Sequence, residues 1–144
     1  MTTDGIQPIT AGKTVKPATP QRILIVDDEP AILFAYRKLI EREGIDVDIS
    51  ESLDEALEMI RVCPYFAIIA DMRLAGTDNE DGMEILRTIQ EMRPDTKVIL
   101  ATGYGNSETE RKALALGASH YFEKPVMPAA ILAALKEISS SAPG

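Results

Sequence analysis

Three aspartates, a threonine and a lysine stand at places in this chain where they could do chemistry together. Phe66-Ala67-Ile68-Ile69-Ala70 runs without a break into Asp71, Ile23-Leu24-Ile25-Val26 runs into Asp27-Asp28, and Val98-Ile99-Leu100-Ala101 runs into Thr102-Gly103. His120-Tyr121-Phe122-Glu123 ends in Lys124-Pro125. Crowded carboxylates repel one another, and a divalent cation relieves that conflict. Donors that are all oxygen, with no histidine or cysteine among them, favour a hard ion, Mg²⁺ before Zn²⁺. Mg²⁺ held by one or two carboxylates keeps positions for water and phosphate oxygens. Lys124 adds a fixed positive charge, Thr102 a hydroxyl, and Gly103 leaves room beside it. The set describes a pocket for a phosphoryl group next to a carboxylate nucleophile, and aspartyl-phosphate formation is a known route for such a nucleophile.

For these residues to meet, the runs that carry them must be parallel neighbours. Unbroken apolar runs read as strands buried on both faces, which is the signature of a parallel sheet. Helical periodicity follows each one. Ile32, Ala35, Tyr36, Leu39 and Ile40 come after the first run, with Pro30 in the opening turn and Gly44 as the stop. Asp46-Val47-Asp48-Ile49-Ser50 alternates instead, so it is a strand with one wet side and lies at a sheet edge. Ser52 to Glu55 has the form of a capping box, opening a helix through Leu53, Ala56, Leu57 and Ile60. The next helix carries Ile85, Leu86, Ile89 and Met92 and stops before Pro94. Ser107 to Glu110 is a second capping box, for a helix reaching Gly117 that is poor in large apolar residues and so a candidate for movement. Pro128 opens the last helix, with Ile131, Leu132, Leu135 and Ile138. Five such units in succession predict an α/β fold with a five-stranded parallel sheet and helices on both faces. An edge strand second in the chain and a central strand first give the order 2-1-3-4-5, with the ligand crevice beyond the carboxyl ends of the strands.

Length and composition agree with one such domain. The chain has 144 residues, 45% apolar and 26% charged, which suits a single globular unit. A net charge of −8 argues against direct nucleic-acid binding, which calls for a basic surface. The single cysteine, Cys63, excludes an internal disulfide framework. No run approaches the length of a membrane span, and no signal-peptide core opens the chain, so a cytoplasmic protein is expected. Residues 1–20, rich in Thr, Pro and Gly, read as a tail; 21–138 as the domain; 139–144, Ser-rich and ending in Pro143-Gly144, as a tail or linker.

The ordered set, Asp27-Asp28, Asp71, Thr102 and Lys124-Pro125, each at the end of its strand, resembles the receiver domain of bacterial two-component response regulators over roughly residues 21 to 138. The resemblance implies a flavodoxin-like (βα)5 three-layer sandwich that is not an enzyme in the ordinary sense. It implies that Asp71 accepts a phosphoryl group from a histidine kinase or phosphotransfer protein. Asp27, Asp28, Asp71 and the main-chain carbonyl of Arg73 then hold Mg²⁺, and Thr102 and Lys124 bind the phosphoryl oxygens. Tyr121 falls on the family's switch aromatic, which turns inward as Thr102 moves. A cis Lys124-Pro125 bond is implied too, as is signalling through the fourth helix, fifth strand and fifth helix. That surface would serve a downstream protein, a missing output domain or a phosphorylation-dependent homodimer. The chain departs from the pattern at Ala75, where receivers usually carry proline. It also departs in the long acidic loop 75–81, read as solvated, since its acids do not match an EF-hand.

Each residue also has a plain reading: acids favoured at a helix N-terminus, a threonine capping a turn, a solvated lysine, an aromatic favoured in a strand. These fit singly and fail jointly. His120 points to the face opposite Tyr121 and is assigned no chemistry. The rival function is a phosphohydrolase of the haloacid-dehalogenase type, which also forms an aspartyl phosphate with Mg²⁺. Those enzymes place a second acid two residues past the nucleophile, where this chain has Arg73.

Overall fold

In the β-region runs the side chains alternate between two apolar layers, and that alternation builds the molecule. A computed structural model describes residues 21–72, 81–103 and 107–141. The strands are β1 (Arg22–Val26), β2 (Asp46–Ser50), β3 (Ala67–Asp71), β4 (Lys97–Thr102) and β5 (His120–Glu123). The helices are α1 (Pro30–Glu41), α2 (Leu53–Val62), α3 (Asp81–Met92), α4 (Ser107–Ala115) and α5 (Pro128–Ser141). All strand pairs are parallel and the sheet order is β2-β1-β3-β4-β5, the order expected from the alternating second strand.

Ile23, Ile25, Ala67, Ile69 and Ile99 point to one face, where Leu33, Tyr36 and Ile40 of α1 and Ile131, Ala134, Leu135 and Ile138 of α5 cover them. Leu24, Val26, Ile68, Ala70, Val98 and Leu100 point to the other, under Ala56 and Ile60 of α2, four large side chains of α3, and Ala113 of α4. Burying a Leu- or Ile-sized side chain contributes roughly 1.5–3 kcal/mol, so α3 is tightly docked. Ala113 is the one buried residue of α4, which matches the light anchoring expected of it.

Several local details differ from the periodicity. The buried stripe of α1 is Leu33, Tyr36 and Ile40, with Ile32 and Leu39 half-buried beside it, while Ala35 is exposed. Met92, the last residue of α3, is 42% exposed. Ser52 does cap α2, accepting from the Glu55 amide at 3.2 Å, but the reciprocal half of the box is missing. Glu55 instead accepts from the Ser50 hydroxyl at 3.1 Å, and the Ser52 amide donates to that same hydroxyl oxygen. α4 begins at Ser107 itself, so the residue that precedes the helix is not Ser107 and lies outside the described residues. At its other end Gly117 (φ 107°) closes α4 with the paired bonds Ala118 N–H to Ala113 O and Gly117 N–H to Leu114 O, a Schellman motif.

Candidate functional site

Strand register brings the predicted residues level. Val26 pairs with Ala70, Asp71 with Ala101, and Thr102 with Glu123. One residue beyond these pairs, Asp27 lies beside Asp71, and Lys124 follows on the fifth strand. Main-chain bonds extend the ladder past the strand ends: Asp27 N–H to Ser50 O at 3.1 Å, Met72 N–H to Ala101 O at 2.8 Å, and Lys124 N–H to Thr102 O at 2.7 Å. The Lys124-Pro125 peptide bond is cis, as the resemblance implied.

Asp27, Asp71 and Thr102 are buried, at 4%, 8% and 3% exposure, and Asp28 is exposed. Asp27, Asp28 and Asp71 each offer a carboxylate oxygen, and these oxygens lie within 4.8 Å of one another. That is the spacing of donors around one small ion, and their chemistry is the hard-oxygen set that suits Mg²⁺. The Lys124 ammonium enters the same cluster, donating to Asp27 Oδ2 at 2.8 Å and to Asp71 Oδ2 at 3.0 Å. Burial pulls the ammonium's pKa down, but the hydrogen bonds and charges of Asp27 and Asp71 outweigh it and hold the pKa above the ordinary lysine value. A cationic Lys124 thus neutralises part of the crowding among the acids.

Two groups here escaped the sequence reading. Glu29 Oε1 lies 3.7 Å from the Lys124 ammonium, and the Glu29 amide donates to Asp27 Oδ1 at 3.0 Å, fixing that carboxylate. The adjacency of Glu29 to the acid pair was its only signal. Asp81, read as part of a solvated loop, is instead buried at the start of α3. The reason is the next residue. Gly82 packs so closely on the end of β3 that a Cβ there would stand 3.0 Å from Met72 Cα and 3.1 Å from Asp71 O. That approach draws the first turn of α3 inward, Asp81 with it. Arg73 and residues 75–80, which include the Ala75 departure and most of the acidic loop, lie outside the described residues.

Tyr121 stands opposite Leu100 in the register and packs, partly buried, against the α2–α3–α4 layer. His120 points the other way, as expected: its Nε2 lies 2.9 Å from Glu137 Oε1 on α5, and its ring stacks on Phe122. Sequence spacing thus brought together Asp27, Asp28, Asp71 and Lys124, with Thr102 at the adjoining strand end and Tyr121 opposite Leu100, two residues before Thr102.

A doubly wound parallel sheet with an acid-lined, lysine-bridged crevice at its carboxyl edge defines an α/β domain of the kind that takes its ligand beyond the strand ends. Residues 23–136 match the response regulator receiver domain, and the chain belongs to that family. The acid tolerance regulatory protein ActR of Rhizobium meliloti is 37% identical over 113 residues, 78% of this chain and 57% of that protein. The photosynthetic apparatus regulatory protein RegA of Rhodobacter capsulatus is 31% identical over 104 residues, 72% of this chain and 54% of that protein. The chain therefore spans little more than half the length of these relatives. Among solved structures, a CheY-like receiver domain protein from Methanospirillum hungatei superimposes with a TM-score of 0.74 at 32% identity, covering 86% of this chain and all of that one. The beryllofluoride-activated NtrC4 receiver domain, a dimer, gives 0.74 at 32% identity, covering 81% and 94%. The family's members are signalling domains of two-component systems rather than ordinary enzymes. Receiver domains generally bind Mg²⁺ in an acidic pocket and interact with histidine kinases or phosphotransfer proteins. Among the described residues no helix is long and apolar enough to cross a membrane.

Proposed function

We propose that this chain is a phosphorylation-activated switch in which Asp71 takes a phosphoryl group from a phosphohistidine of a kinase or phosphotransfer protein. The observation that carries the reading is the Lys124 ammonium held between Asp27 and Asp71, at 2.8 and 3.0 Å. One cation touches the nucleophile and one of its acidic neighbours, so it can follow a phosphoryl group added to the first without leaving the site. An Asp71 oxygen forms the new P–O bond as the donor P–N bond breaks, and the electron pair goes to the imidazole nitrogen. Asp27 and Asp28, with Asp71 and the main-chain carbonyl of Arg73, are the groups that would hold Mg²⁺. The ion supplies charge neutralisation for the phosphoryl oxygens.

Phosphorylation adds about −1.5 to −2 charges and three acceptor oxygens. Lys124 and Thr102 meet those oxygens only in the modified state, and that difference shifts the population of conformers. Thr102 moves toward the phosphoryl group, and Tyr121, in the neighbouring layer, follows into the space. The face of α4, β5 and α5 changes with it, toward a downstream protein, an output domain or a second copy of the chain, and the activated NtrC4 dimer lends support to the last. Membership of the receiver family favours this reading over a haloacid-dehalogenase-like phosphohydrolase.

The test is intact mass after incubation with acetyl phosphate and Mg²⁺. A gain of one phosphoryl group is expected, absent in Asp71→Asn. An adduct that persists in Asp71→Asn moves the acceptor to another residue. Steady turnover of phosphate esters without an accumulating adduct favours the hydrolase.

A further inference from the structure

Tyr36 is a polar group near the site that the switch reading leaves without a role. It sits in the inward stripe of α1 at 9% exposure, where an aliphatic residue would pack as well. Its hydroxyl donates to the main-chain carbonyl of Val126 at 2.8 Å, across 90 residues of sequence. Val126 is two residues past Lys124. On the near side the Lys124 amide donates to Thr102 O at 2.7 Å. The backbone that carries the lysine is therefore tied on one side to β4 and on the other to α1.

α1 is also the helix that grows out of the acid pair. The amides of Ile32 and Leu33 donate to Glu29 O, and the Glu29 amide donates to Asp27 Oδ1. The Tyr36–Val126 bond thus joins the helix that fixes Asp27 to the segment that fixes Lys124. Burial raises the pKa of the Tyr36 hydroxyl, the Lys124 charge lowers it in part, and Asp27 adds to the rise. Both charges are within electrostatic reach of the ring, and the hydroxyl keeps its proton through the neutral range.

We propose that Tyr36 is a positioning residue for Lys124, setting through the Val126 carbonyl how deeply the ammonium enters between Asp27 and Asp71. The placement of the lysine is a property of the unmodified protein; its kinetic consequence rests on Asp71 being the phosphoacceptor.

Tyr36→Phe keeps the ring and its packing and removes the hydroxyl alone. Two measurements on the whole chain decide the matter. The first is solvent exchange of the Lys124 ammonium protons, by nitrogen-15 NMR without Mg²⁺ or phosphoryl donor. Tyr36→Phe is expected to speed that exchange about 5-fold, the equivalent of one hydrogen bond of about 1 kcal/mol. The second is the rate constant for phosphorylation by acetyl phosphate, expected to fall about 5-fold in Tyr36→Phe and to change by less than about 2-fold when the substitution is made in Lys124→Ala. Unchanged ammonium exchange overturns the proposal, including the case where Tyr36→Phe only lowers the melting temperature. An equal rate loss with and without Lys124 overturns it as well, since Tyr36 would then act by another route. If the wild type accepts no phosphoryl group, the phosphoacceptor reading falls, and the ammonium exchange still decides the role of Tyr36.

Discussion

Replacing Lys124 by alanine isolates the electrostatics of the site without any phosphoryl chemistry. The ammonium side chain is 22% exposed, while the Asp27 and Asp71 side chains it bridges are 6% and 10% exposed. Breaking a fully buried pair by removing one partner costs about 3–5 kcal/mol, and an exposed pair is worth about 0–1 kcal/mol. The lysine's partial exposure places Lys124→Ala between these, at about 2 kcal/mol at neutral pH. That corresponds to a fall in melting temperature of about 6–10 °C for a domain of this size. The penalty comes from acids left facing one another, so it has two signatures. Mg²⁺ should restore more stability to Lys124→Ala than to the wild type, because the ion no longer competes with an ammonium for Asp27 and Asp71. Acid should also shrink the difference, since one of the crowded carboxylates can then take a proton. The lysine's own titration does not interfere. Its folded pKa is raised above the ordinary 10.5, so its contribution is fully present below about that pH and is lost only as pH rises through the higher folded value. Urea unfolding of both proteins, with chelator and with saturating Mg²⁺, at neutral and mildly acidic pH, reads all of this. A Mg²⁺-induced gain no larger in Lys124→Ala than in the wild type refutes the reasoning.

Asp28→Asn should remove most of the Mg²⁺ binding seen by calorimetry, since it takes one of the three converging carboxylates from the cluster; equal affinity in both proteins places the ion elsewhere. Thr102→Ala should still gain a phosphoryl group at Asp71 but show a smaller phosphorylation-dependent change in NMR shifts at Tyr121 and across α4. A full wild-type response at Tyr121 would sink the coupling of hydroxyl to aromatic. Gly82→Ala should destabilise by up to about 2 kcal/mol in urea unfolding, because overpacking costs about 1–3 kcal/mol against a helix-propensity gain of about 1 kcal/mol, and the obstructing atoms include the backbone of Met72 and Asp71. A more stable Gly82→Ala protein means that α3 can retreat from β3 at little cost.

The strand order was legible because one strand announced its position. Asp46 and Asp48 interrupt the apolar pattern of β2, and both meet Arg22 of the neighbouring strand at the sheet edge. The site was legible for a related reason, since in a parallel sheet every strand delivers its last residue to the same rim. Interactions that reach across the fold were not. Tyr36 looks like any core aromatic by spacing, and nothing local marks a carbonyl 90 residues away as its partner. The same holds for Tyr65, whose hydroxyl donates to Asp48 at 2.7 Å beneath the edge strand, and for Arg93, which donates to the carbonyls of Ile60 and Arg61 at the end of α2. The burial of Asp81 went unread because local polarity suggested a loop, whereas the close approach of Gly82 decides where the helix starts. Half of the Ser52–Glu55 box failed for a similar reason: Ser50, the last residue of β2 and two residues before Ser52, offered Glu55 a better donor than the Ser52 amide.

That α4 buries a single alanine has a consequence for how the molecule opens. Amide exchange with solvent proceeds through the least costly unfolding that exposes each group. Releasing α4 uncovers Ala113 and a few partly covered neighbours, whereas releasing β1 or β3 uncovers side chains from both layers at once. The protein should therefore carry a graded protection pattern, with α4 amides exchanging by a small opening and those of β1 and β3 only when the whole chain unfolds. Because so little is uncovered when α4 leaves the sheet, a change of about 1–2 kcal/mol at its contacts should be enough to shift the balance between its docked and detached forms measurably.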